Sequence, residues 1–226
     1  MPLDGRRVLD LGCGVGEYVR AFTRRGANAL GCDIELPRLI EARARGASVV
    51  LAAAGEALPF RDAALDVVVL NEVIEHVTSD RQTLREVARV LAPGGTCVIF
   101  APNRLFPFET HGVYLPTLQS LISSHAARRF VFGNIPLVNW LPRPLRDRLV
   151  PHARVYTQRT LDEVLRGSGL RVVTRDFVFP GFDNVAARFG RAGRAFRTLM
   201  HAIEASPARR FGISHVYILR KPGAAS

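Results

Sequence analysis

The chain has 226 residues, 48% of them hydrophobic, and a formal net charge of +11, which is enough apolar surface for one sizeable core but too little chain for two full enzymatic domains. The charge is unevenly placed, since residues 1–100 carry 12 arginines against 13 acids while residues 101–226 carry 19 basic residues against 7 acids, so the total is weak evidence for a nucleic-acid partner. Asp4, Arg6 and Arg7 stand where a secretory leader needs its apolar stretch, and the longest apolar run, 130–142, is broken by Gly133, Pro136 and Asn139; it is too short to cross a bilayer, and a cytoplasmic location is expected.

Residues 6–11 read as a first strand, 17–25 as a helix, 29–32 as a second strand and 37–45 as a helix with Pro37 in its first turn, where no hydrogen-bond partner is lost. A third strand is expected over 49–52 and a continuously apolar fourth over 65–70. A helix over 80–91 aligns Leu84, Val87, Ala88 and Leu91 on one face. The Pro93-Gly94-Gly95 turn then precedes a fifth strand over 96–101. This alternation predicts an α/β fold, doubly wound around a mostly parallel sheet. Segment 104–153 is rich in proline, aromatics and arginine, breaks the rhythm, and reads as an insertion with short helices after the fifth strand. A helix over 161–167, a strand over 170–177 and a last strand over 214–220 resume it. The expected organisation is one domain, with a ligand-binding half over 1–103, an insertion or substrate lid over 104–153, and completion of the sheet over 154–226. Cys13, Cys32 and Cys97 lack paired metal or redox spacing and read as small core residues.

The most informative segment is VLDLGCGVGE, residues 8–17, a buried strand ending in three glycines and opening into a helix. Gly12, Gly14 and Gly16 let the chain turn sharply and let a ligand lie against bare backbone. A dinucleotide fingerprint would need a further glycine where Glu17 stands. Asp10 and Glu17 would also repel a pyrophosphate and suit a ligand carrying cationic groups. Asp33, 17 residues beyond Gly16 at the end of the second strand, is placed to accept hydrogen bonds from ribose hydroxyls.

VLDLGCGVG, GCDIE, GEALPF, LDVVVLNEVIEHV and RVLAPGGTCVIFAPN occur in an order and spacing that resemble the class I S-adenosylmethionine-dependent methyltransferases, specifically the group containing the quinone-biosynthesis enzymes. The resemblance covers about residues 6–103. It implies a Rossmann-like, seven-stranded sheet with the last strand antiparallel, and S-adenosyl-L-methionine bound across the carboxyl ends of the first four strands. Carried over by position, Asp10, Gly12, Gly14 and Gly16 line the methionine and ribose side, Asp33 takes the ribose, and Asn71 sits near the methionine. Ala54, Gly55, Glu56 and Ala57 flank the adenine. The family usually has Asp where Ala54 stands, so adenine recognition passes to backbone groups or Glu56. Its members also commonly place a helical segment ahead of the first strand; either the insertion covers the cofactor in its place or the chain continues upstream. Glu75-His76 is a recurrent pair, and His76 reads as a hydrogen-bonded structural residue.

Methyl transfer is an in-line displacement for which alignment in a dry site is the main requirement and a base is optional. Candidate catalytic groups on the insertion side are Glu109, His111, His152 and Tyr156, polar groups set among aromatics. The glycine loop has no clustered His and carboxylates at ligand spacing, so no metal requirement is expected. No RNA-binding module and no Asn-Pro-Pro-Tyr-like motif follows the fourth strand, where Asn71-Glu72-Val73-Ile74 stands, so a small-molecule acceptor is expected rather than nucleic acid. A noncatalytic S-adenosylmethionine-binding protein, an RNA methyltransferase and a nicotinamide oxidoreductase stay open as alternatives. A lipid-like acceptor and peripheral membrane contact are suggested by two segments: Phe130-Val131-Phe132 through Trp140 to Arg143, and a helix over 188–203 with Phe189, Phe196, Leu199, Met200 and Ile203 toward one side. The helix stripe is expected to pack on the sheet, which makes the insertion the better membrane candidate.

Overall fold

Strands apolar on both faces belong at the centre of a parallel sheet covered on each side, and β1 (Arg7–Leu11) and β4 (Leu65–Asn71) have that character: Val8, Leu9, Val68 and Leu70 are fully buried. The computed structural model describes residues 2–113 and 135–223. Within it β1 pairs in parallel with β2 (Asn28–Asp33) and with β4, β2 pairs in parallel with β3 (Val50–Ala52), and β4 pairs in parallel with β5 (Leu91–Pro102). With β8 (Arg171–Val178) and β9 (Ser214–Arg220) the order is β3-β2-β1-β4-β5-β9-β8, seven strands as expected. β9 runs against β5: Gly94 N–H donates to the Lys221 carbonyl at 3.0 Å at one end, and Asn103 N–H to the Ile213 carbonyl at 3.0 Å at the other. Pro93-Gly94-Gly95, expected as a turn before the strand, lies inside β5. The register with β4 shifts there between the Leu65 and Val67 pairs, and the exchange with Lys221 draws the segment into the ladder.

Two compact units emerge. The first comprises residues 1–101, 158–176 and 216–226. It holds most of the sheet and the helices α1 (Glu17–Thr23), α2 (Leu36–Ala44), α3 (Asp80–Val90) and α5 (Gln158–Leu165). Val8, Val19, Leu39, Ala42, Val67 and Val69 belong to one of its core clusters. Ser79 starts α3, its hydroxyl accepting the Gln82 N–H at 3.3 Å.

The second unit comprises 102–157 and 177–215, so the chain expected only to complete the sheet also contributes to this body. Its elements are the antiparallel pair β6 (Phe108–Glu109) and β7 (Ile135–Pro136), helix α4 (Arg143–Leu149), and helix α6 (Asp183–Glu204). α6 starts before the expected 188 and is kinked at Gly190, whose φ of 54° is open to glycine at little cost. Val113, Val138, Val150 and Ala153 form a small core of their own. Phe189, Phe196 and Leu199 are exposed, contrary to the expectation of a buried stripe. The run Phe130-Val131-Phe132 lies outside the described residues. No helix among the described residues is long and apolar enough to cross a membrane.

Candidate functional site

The glycine loop leaves β1 with Gly12, Gly14 and Gly16 all left-handed, at φ of 75°, 50° and 74°. The N–H groups of Gly12 and Cys13 donate to the Cys32 carbonyl at 2.7 and 2.8 Å, fastening the loop to β2. The three glycines do different work. A Cβ on Gly12 would overlap Val73 Cγ2, and one on Gly16 would lie 2.7 Å from Ala47 Cβ, so both permit close packing. A Cβ on Gly14 would meet only Arg38 Nη1, at 3.7 Å. At Gly14 the protein itself leaves space beside bare backbone, as a ligand would need.

Two acids end the strands on either side of this loop. Asp33 is buried, and its Oδ2 accepts the Gly14 N–H at 2.8 Å while its Oδ1 accepts the Glu35 N–H at 2.9 Å. It therefore braces the loop, and each oxygen keeps a second lone pair for a ligand hydroxyl. Asp10 is also buried, and its Oδ2 has no hydrogen-bond partner. Burial, reinforced by the negative charge of Asp33, pushes the Asp10 carboxyl up to about 7. A buried acceptor without a donor is costly, and a cationic ligand group beside Asp10 would relieve that cost. The donor set fits S-adenosylmethionine in this respect: an unsatisfied acid, a second acid with spare lone pairs, and an open glycine. Burial first, then the carboxylates of Asp10 and Asp33, pushes the Cys13 and Cys32 thiols up to about 12. All three cysteines are buried, as expected of core residues.

Ala54, Gly55 and Glu56 follow β3. Gly55 is buried, and a Cβ there would come within 3.0 Å of the Thr83 side chain on α3. Glu56 Oε1 accepts the Ser79 N–H at 3.0 Å, so this side chain joins the segment to the start of α3. Its structural partner was not legible in the sequence, which offered Glu56 for adenine. Asn71 ends β4, half-buried, and Glu72 after it takes a φ of 54°. Glu75 is buried, and His76 is exposed with Nε2 at 3.7 Å from Glu75 Oε1.

In the second unit Glu109, His111 and His152 come together, while Tyr156 is anchored elsewhere. Glu109 Oε2 accepts from Nη2 of Arg146 at 3.0 Å. Its Oε1 accepts the His111 N–H at 2.8 Å and lies 3.1 Å from His111 Nδ1. Burial alone would push the Glu109 carboxyl up, but the His111 hydrogen bonds and the Arg146 guanidinium outweigh it and hold it at about 2. Arg146, which the sequence did not single out, is fully buried and also donates to the carbonyls of Ala153 and Val150. His152 Nε2 lies 3.1 Å from the His111 carbonyl. Tyr156 is buried in a bridge with Asn103, its carbonyl accepting the Arg104 N–H at 2.8 Å.

Comparison with known proteins agrees with this geometry. Residues 9–99 match a family model described as a methyltransferase domain. The chain is 28% identical over 183 residues to a ubiquinone biosynthesis O-methyltransferase of Rhizobium etli, covering 79% of this chain and 65% of that protein. It is 35% identical over 127 residues to "Probable tRNA methyltransferase 9B" of Bos taurus, covering 53% of this chain and 27% of that one. The chain thus spans less than two thirds of either relative. Among solved structures, an S-adenosylmethionine-dependent methyltransferase from Mesorhizobium loti superposes with a TM-score of 0.65 at 20% identity, over 97% of this chain and 93% of that one. Residues 9–99 thus match a methyltransferase domain, and the chain shares its fold with the S-adenosylmethionine-dependent methyltransferase of Mesorhizobium loti.

Proposed function

We propose that the chain binds S-adenosylmethionine in its first unit and methylates a small-molecule acceptor. The observation that carries this reading is the buried, unsatisfied Asp10 oxygen beside a glycine loop with open space at Gly14. When bound, the cofactor supplies an electrophilic methyl group on a positive sulfonium. Asp10 would offset positive charge, Asp33 would orient the ribose while bracing the loop, and backbone around Ala54 and Gly55 would border the adenine. Asn71 would complete the methionine side.

For the acceptor proton we favour His111. Donation from its Nδ1 to Glu109 assigns the ring proton to that nitrogen and makes Nε2 the basic one. Glu109, held ionised by Arg146, orients the ring but is too weak a base for the task. His152 and Tyr156 stand as supporting groups. The name of the Rhizobium etli relative, a ubiquinone biosynthesis O-methyltransferase, supports O-methylation of a small molecule; that the acceptor is hydrophobic and met at a membrane periphery is our extension of that reading. The similarity to a tRNA methyltransferase keeps an RNA acceptor as the second reading.

Titration calorimetry tests the cofactor assignment: binding of S-adenosylmethionine and of its demethylated product supports it, and preferential binding of NAD removes it. With an acceptor in hand, His111→Asn should lower kcat by about 100-fold while leaving cofactor affinity unchanged.

A further inference from the structure

In the second unit a small ribbon carries large apolar side chains that the fold does not bury. Leu137 is 53% exposed, Trp140 50%, Leu145 48% and Phe108 42%. The segments that bear Phe108, Leu137 and Trp140 are tied together by backbone and side-chain hydrogen bonds. β6 and β7 pair Phe108 with Pro136, Leu137 N–H donates to the Pro107 carbonyl at 2.6 Å, and the Arg104 guanidinium donates to the Leu141 carbonyl at 2.6 Å. The Trp140 indole N–H donates to the Leu105 carbonyl at 3.1 Å, so its polar group is satisfied within the ribbon while its ring stays exposed. Leu137 adopts φ of 64°, a backbone state that glycine or asparagine would fill at less cost. An exposed leucine there serves neither the backbone nor a core.

Charge accompanies these side chains. Arg143 and Arg148 are exposed on α4, Arg146 lies beneath, and Asp147 is the acid among them. Arg104 lies within electrostatic reach of Arg143 and Arg146, so basic side chains gather on this part of the chain. A satisfied indole, exposed leucines and arginines on one hydrogen-bonded ribbon are the side chains that settle at the level of lipid headgroups.

We infer that this ribbon, Leu105 to Glu109 with Ile135 to Leu145, is a docking surface for an anionic lipid bilayer. It deepens the proposed function by giving a hydrophobic acceptor a place to be met, and it rests on that reading only for its purpose. Arg143 and Arg148 would contact headgroups, while Trp140, Leu137 and Phe108 enter the interface.

Trp140 is the only tryptophan of the chain, so its fluorescence reports this surface alone. The full chain, without cofactor, would be mixed with phosphatidylcholine vesicles and with vesicles in which phosphatidylglycerol replaces part of the neutral lipid. The expected result is co-flotation with anionic vesicles, a blue shift of emission and quenching by brominated lipid, all reversed by salt. The double variant Arg143→Glu, Arg148→Glu should weaken vesicle binding by about tenfold or more. Leu137→Asn, which suits the left-handed backbone, should weaken it with an unchanged circular dichroism spectrum. No flotation, or flotation untouched by both variants, overturns the assignment. So does a blue shift that grows with protein concentration in the absence of lipid, the signature of a second copy of the chain on this face. Emission already blue and shielded from iodide in the free chain would show that the chain covers the ribbon itself, and would equally overturn it. Because no methyl transfer is measured, intact vesicle binding in a chain that fails to bind S-adenosylmethionine would remove the proposed function and leave this surface standing.

Discussion

Replacing Asp10 by Asn separates stability from binding at one atom. Asp10 is buried, lacks a partner for Oδ2, and has its carboxyl pushed from 3.8 to about 7. Because the folded form holds this proton more tightly than the unfolded chain, the Asp10 contribution to stability is fully present below about pH 4 and is lost as pH rises through 7. The difference corresponds to about 4 kcal/mol above pH 7. Asn removes the charge but leaves a buried amide to satisfy, at about 1–3 kcal/mol, so the ligand-free variant should gain about 2 kcal/mol at pH 8 and lose about 2 kcal/mol at pH 4. Its affinity for S-adenosylmethionine should fall at the same time, because the negative charge facing the cofactor's cationic groups is lost. In the native protein that affinity should rise as pH climbs through 7. Urea unfolding at pH 4 and pH 8, with calorimetric titration of both proteins, measures the two effects. An Asn variant that is less stable at pH 8, or that binds the cofactor as tightly as the native chain, would refute the reasoning.

The glycines give a second contrast. Gly12→Ala should cost about 1–3 kcal/mol in thermal or urea unfolding through its clash with Val73 and its left-handed backbone, whereas Gly14→Ala should cost about 1 kcal/mol yet abolish cofactor binding by calorimetry. Asp33→Ala should both weaken cofactor binding by tenfold or more and lower the melting temperature, since two backbone N–H groups lose their acceptor. Arg146→Ala should destabilise the second unit by about 3–5 kcal/mol by leaving Glu109 charged and buried; unfolding of the Arg146→Met, Glu109→Leu pair, in which neither charge remains, should show most of that loss restored.

What the sequence revealed follows from how local each signal is. β1, the glycine loop and Asp33 were legible because a buried strand, its turn and its helix lie within a few consecutive residues, and β9 was legible as an apolar run ending in charges. The structural role of Glu56 was not legible because its partner, the Ser79 N–H, lies 23 residues away. Arg146 was invisible among the surface arginines of a basic segment, since only the fold brings Glu109, 37 residues earlier, against it. The stripe of α6 had the periodicity of a packed helix, and Phe196 and Leu199 follow that period, yet they remain exposed. Periodicity shows that side chains share a face and is silent on what covers it.

Transfer of a labelled methyl group from S-adenosylmethionine into fractionated cell extract tests the central claim most directly, with lipid, small-molecule, protein and RNA fractions counted separately. The account predicts label in the small-molecule or lipid fraction, lost with Gly14→Ala. Label in the RNA fraction, or cofactor binding with no label transferred to any fraction, would contradict it.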